Sequence, residues 1–141
     1  MTNQQIFDRV LTHLRAQGEA AAVAYFSDPD NSNVSYDCRY RLTKDDGRKL
    51  MCAAGCLIPD DKYDPKLEGF RATSSDVMPV MMVSLGIEQS EGDGEQVWKT
   101  VDLIGDLQLA HDTQLAEDGL SEWEERMATI AGYHKLTYMP A

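Results

Sequence analysis

The sequence predicts an α+β fold, with four or five helices packed on a small antiparallel β-hairpin or sheet, in a single domain over residues 1–141. Three observations carry this. Apolar residues recur at helical spacing at both ends of the chain, and a period-two alternation runs through residues 34–42. A chain of 141 residues, 43% of them hydrophobic, also fills one core without needing disulfides.

Thr2 and Gln5 stand at capping-box spacing ahead of Ile6, Phe7, Val10, Leu11 and Leu14 on one face, and Gly18 closes a helix over 3–17. Glu19 to Phe26 reads equally as a helix extension or a buried strand, and Ser27 to Asn33 as a polar loop. Val34, Tyr36, Cys38, Tyr40 and Leu42 alternate with polar residues, and Asp46-Gly47 supplies a turn. A five-residue loop over Thr43–Gly47 would place Leu42 opposite Arg48, Tyr40 opposite Leu50, Cys38 opposite Cys52 and Tyr36 opposite Ala54.

Beyond an irregular stretch punctuated by Gly55, Pro59, Pro65 and Gly69, Asp76 is placed to cap a buried helix over 77–85 with Pro79 in its first turn. A loop over Glu88–Gly94 then leads to a helix over 95–115 with Val97, Val101, Ile104, Leu107, His111 and Leu115 on one stripe. Ser121 and Glu124 are spaced to box a last helix over 122–132, carrying Trp123, Met127 and Ile130.

Charge narrows the function classes. The formal net charge is −11, and it is uneven: residues 1–75 hold 11 acids and 10 bases, residues 76–141 hold 13 acids and 3 bases. Binding to bulk nucleic acid is disfavoured, because phosphate recognition needs net positive charge. The longest apolar run, Ala20–Phe26, is far shorter than the roughly 20 residues of a membrane helix, so a cytoplasmic protein is expected. Three closely spaced cysteines fit free thiols in a reducing compartment.

Cys38-Arg39-Tyr40-Arg41, Gly47, Cys52-Ala53-Ala54-Gly55-Cys56-Leu57-Ile58-Pro59-Asp60, Tyr63, Glu68 and Gly69 form one block, and Leu107-Gln108-Leu109-Ala110-His111-Asp112 with Trp123 a second. Together they resemble a family of small proteins found in phages and prophage-bearing bacterial genomes. The resemblance implies a phage accessory protein acting in the cytoplasm of a host bacterium, and it implies no catalytic residues.

Several groups invite chemistry. Cys38, Cys52, Cys56 and His111 supply the right number of ligands for zinc, but not the close pairs that structural zinc sites use, and small buried thiols are the plainer reading. A thiol nucleophile would need a lowered pKa and a base. His111-Asp112 suggests a general base, yet neighbours on an α-helix point about 100° apart, so a hydrogen-bonded core histidine is the plainer reading. No catalytic residue and no cofactor is expected.

Arg39, Arg41 and Lys49, with Tyr40 and Tyr63 for stacking, form a candidate site for an anionic small ligand such as a phosphorylated metabolite or signalling nucleotide. Asp102, Asp106, Asp112, Glu117 and Asp118 belong to an acidic half that could present a phosphate-like array to a basic host protein. The leading expectation is a non-enzymatic accessory protein that binds and inhibits or sequesters a host component, such as a defence or nucleic-acid-binding protein, through that half. A ligand sponge is the second expectation, a Cys/His metal module or thiol enzyme the third, and a homo-oligomer is compatible with each.

Overall fold

The computed structural model describes residues 1–26, 34–87 and 94–141. The order is α1 (Asn3–Gln17), β1 (Ala22–Phe26), β2 (Val34–Cys38), β3 (Leu42–Thr43), β4 (Lys49–Leu50), short 3-10 turns at Gly55–Leu57 and Pro65–Leu67, α2 (Met78–Leu85), α3 (Gly94–Ala110), a π-helical segment (His111–Asp118) and α4 (Leu120–Tyr133). These elements make an α+β fold; the predicted loop over 27–33 and, except for Gly94, the one over 88–94 lie outside the described residues, and Gly94 opens α3.

Helix α1 forms as its sequence demands. The Thr2 hydroxyl accepts the Gln5 N–H, the Gln5 side chain accepts the Thr2 N–H, and Gly18 ends the helix at a φ of 77°. Its apolar face, Ile6 to Leu14, packs against α3 and α4, whose inward residues Leu103, Ile104, Leu107, Trp123, Met127 and Ile130 complete the core. Bidentate hydrogen bonding of Arg15 to Glu124 ties α1 to α4, and Tyr138 donates to Glu124 at 2.6 Å, drawing in the C-terminal segment.

Three helix boundaries differ from expectation. Asp76 does not cap α2, which begins one residue later than predicted, at Met78, with Val77 as its cap. Helix α2 is also only partly buried: Met81, Met82 and Leu85 point inward while Val83 is exposed. Ser121 and Glu124 form no capping box, because Glu124 is committed to Arg15 and α4 starts at Leu120, with Gly119 as an N-cap that offers no side chain. The long helix predicted to Leu115 stays α-helical only to Ala110, and from His111 its bonds lengthen to i→i+5, as in Gly119 N–H to Gln114 O at 2.8 Å.

The strands correct the predicted hairpin. Ala22–Phe26, within the stretch that reads equally as helix or strand, is the partner of β2, with Ala22 opposite Cys38 and Phe26 opposite Val34. In the second pair Leu42 lies opposite Leu50 and Thr43 opposite Lys49, so Leu42 does not face Arg48 and Cys38 does not face Cys52. The cause is Glu68: its carboxylate accepts the Tyr40 N–H at 2.8 Å and the Arg41 N–H at 3.2 Å, which removes both groups from any ladder and splits the run into two strands. The turn becomes Lys44–Arg48, closed by Lys44 N–H to Arg48 O.

Candidate functional site

The first sequence block closes on itself through a half-buried bracket. The Arg41 guanidinium, expected at a solvated anion site, turns inward, donates to the carbonyls of Gly55 and Ile58 at 2.6 Å each, and lies 4.8 Å over the Tyr63 ring. The Tyr63 hydroxyl donates to Glu68, and burial with that carboxylate pushes the phenol up to about 12. Tyr40 is buried and donates to Phe70 O, while Arg39 is paired with Asp37 at 2.7 Å. Lys49 stands exposed on β4 opposite Thr43, away from these arginines in the strand pairing. Of the five expected ligand residues, Arg39 and Tyr40 line one cleft, Arg41 and Tyr63 are taken up in contacts that hold the fold, and Lys49 stands apart on β4.

That cleft, about 240 Å³, lies between β2, the segment after Gly69, and the start of the π-helical segment, with Tyr36, Arg39, Phe70, Arg71, Gln108 and Asp112 among its walls. An adjoining hollow of about 450 Å³ shares Arg71, Ala72, Gln108 and Asp112 with it. The wall stands close to α3 because residue 105 is glycine, where a Cβ would reach 3.3 Å from the Thr73 methyl.

His111 sits at the back of this cleft, fully buried. Its Nε2 lies 3.0 Å from the Ala21 N–H, which can only donate, so Nε2 accepts and the ring proton resides on Nδ1. From there it donates to Asp112 Oδ1 at 2.8 Å. Adjacent residues thus do support one another, contrary to the α-helical expectation, at the point where the helix widens into the π segment. Gln108 Nε2 donates to the same oxygen at 2.7 Å, and Gln108 Oε1 accepts the Ala54 N–H at 2.8 Å. Asp112 is held from two sides while its side chain is 36% exposed to the cleft.

The expected metal set separates. Cys38 stands with His111 and Asp112 in one group of ligand atoms within 4.8 Å of each other, whereas Cys52 accepts the Gly55 N–H and Cys56 donates to Ala53 O. A metal on His111 Nδ1 would place a proton on Nε2, against the Ala21 N–H, so this histidine is poorly arranged as a ligand. Burial raises all three thiols, with Asp112 adding to the effect at Cys38, and Cys56 is pushed up to about 12, the reverse of what a thiolate nucleophile needs.

The acidic residues also divide. Asp106 pairs with His134 at 2.7 Å, with Asp102 beside them, and Asp112 faces the cleft. Glu117 and Asp118 are exposed, as are Glu122 and Glu125 on α4. Among the described residues no helix is long and apolar enough to cross a membrane. Compared with family sequence models, curated proteins and solved structures, the chain finds no match. Sequence reasoning singled out Asp112 as acidic surface and as a neighbour of His111, and missed Gln108 and Arg71 as cleft residues; Gln108, four residues before Asp112, was the available signal.

Proposed function

We propose that this is a non-enzymatic phage accessory protein that acts by holding a small host-derived ligand in the cleft lined by Asp112 and Arg71. The observation that carries the reading is the posture of Asp112, a carboxylate fixed by His111 and Gln108 yet open to a cleft. His111, Gln108 and the neighbouring Cys38 thiol take up part of its acceptor capacity, and the rest faces the cleft. The raised thiols and the fully engaged His111 support binding rather than turnover. Phage origin and the host cytoplasm come from the sequence resemblance alone. The test is native mass spectrometry of the protein purified from phage-infected bacteria: a retained small mass, absent from Arg71→Ala, is expected, and a bare chain in both forms would refute the reading.

A second reading, inhibition of a basic host protein through the acidic half, draws support from the exposed group Glu117, Asp118, Glu122 and Glu125. It would use a face different from the cleft.

A further inference from the structure

We infer that the cleft takes a nucleoside monophosphate whose base presents N–H donors, guanine fitting best, with the base on Asp112 and the phosphate on Arg71. This rests on the reading of the cleft as a small-ligand site. An ionised carboxylate only accepts, and its two oxygens offer about four lone-pair positions. Oδ1 already receives His111 Nδ1–H and Gln108 Nε2–H, and the Cys38 thiol lies against the same carboxylate, so the capacity left among the described residues calls for an N–H donor from the ligand. Guanine carries such donors on one edge and meets that demand where phosphate or a carboxylate would be repelled.

The rest of the cleft suits the rest of such a molecule. Phe70, 48% exposed, and Tyr36 line the same space and offer flat surfaces for a ring. Arg39 is occupied by Asp37 through two hydrogen bonds of 2.7 and 3.1 Å. Arg71 is exposed, borders both hollows, and enters no ion pair with any described residue, so it is the cation open to a phosphate. One open arginine in a chain of net charge −11 meets one phosphate group better than two or three. The combined hollows, about 240 and 450 Å³, exceed what an amino acid fills and accommodate a nucleotide.

Calorimetric titration of the full chain with GMP, guanosine, ribose 5-phosphate and inorganic phosphate tests the assignment. GMP should bind tightest. Arg71→Ala should weaken GMP about tenfold or more while leaving guanosine unchanged, and Asp112→Asn should weaken both GMP and guanosine by a similar factor. Arg71 is exposed, so its variant keeps the test alive should Asp112→Asn unfold. Equal binding of ribose 5-phosphate and GMP, both lost in Arg71→Ala, would overturn base recognition and leave a phosphate site. No binding of any probe, with a mass still retained on protein from infected cells, would overturn the ligand class and spare the cleft. No binding and no retained mass, or GMP binding indifferent to both substitutions, would overturn both.

Discussion

A Cβ added to Gly55 would stand 2.3 Å from the Tyr40 carbonyl oxygen, closer than any real side-chain carbon approaches. The first block folds back on itself at this point, and only the missing side chain permits it. Gly55→Ala should therefore destabilise the protein by about 1–3 kcal/mol, through backbone displacement that also disturbs the Arg41 hydrogen bond to Gly55 O. Denaturant unfolding, with an unchanged slope and a lower midpoint, is the check; an unshifted midpoint would mean the contact relaxes freely.

His111 provides a second test. His111→Phe keeps the ring's bulk but leaves the buried Ala21 N–H without an acceptor and removes one of the two donors on Asp112. An orphaned buried N–H costs about 1–3 kcal/mol, so His111→Phe should lower stability by that range, as should Gln108→Leu, which orphans the N–H of the equally buried Ala54. Denaturant unfolding is the check, and an unchanged midpoint in His111→Phe would contradict the assigned acceptor role of Nε2.

Acid should weaken the fold through Glu124. Hydrogen bonding from Arg15 holds this carboxyl below its usual value of 4.5, so the unfolded chain takes up the proton first. The contribution is present above pH 4.5 and lost as pH falls through the lower, folded value. In Glu124→Gln, stability should start lower at neutral pH and decline less on acidification; Glu19, lowered by Lys44 and Arg48, retains part of the slope.

Alkali should act in the opposite sense at the buried thiols and phenols. Burial raises Cys38, Cys52, Cys56, Tyr40 and Tyr63, so their stabilising neutral forms are fully present below the unfolded values of 9.0 and 10.0, and that stability is lost as pH rises through the folded ones. With Cys56 pushed from 9.0 up to about 12, its thiolate at pH 8 should be about a thousandfold scarcer than in the unfolded chain. Alkylation rates measured with and without denaturant test this; equal rates would refute it.

Helix α1 is legible because every signal for it is local: a box at Thr2 and Gln5, one apolar face, a glycine stop. The β-run misleads in register because the residue that breaks it, Glu68, lies 28 positions from Tyr40 and no local pattern announces it. The box at Ser121 fails for the same reason, since Arg15 claims Glu124 from 109 residues away. The cleft depends on the π turn, and composition does not separate five-residue from four-residue hydrogen bonding: His111 and Leu115 sit on the same apolar stripe either way. Asp112 could be read from sequence as one more surface acid, while the network that fixes it required the third dimension.

The π-helical segment also sets how this chain can vary in length. A π turn takes up an extra residue that an α-helix over the same span does without, so removing one residue between His111 and Asp118 would let the segment tighten toward an α-helix while α4 largely keeps its place. Trp123 and Met127, both buried in the core, would then stay there. Single-residue deletions here should therefore be tolerated far better than deletions within α1 or α4, where every later side chain on the helix would turn by about 100°.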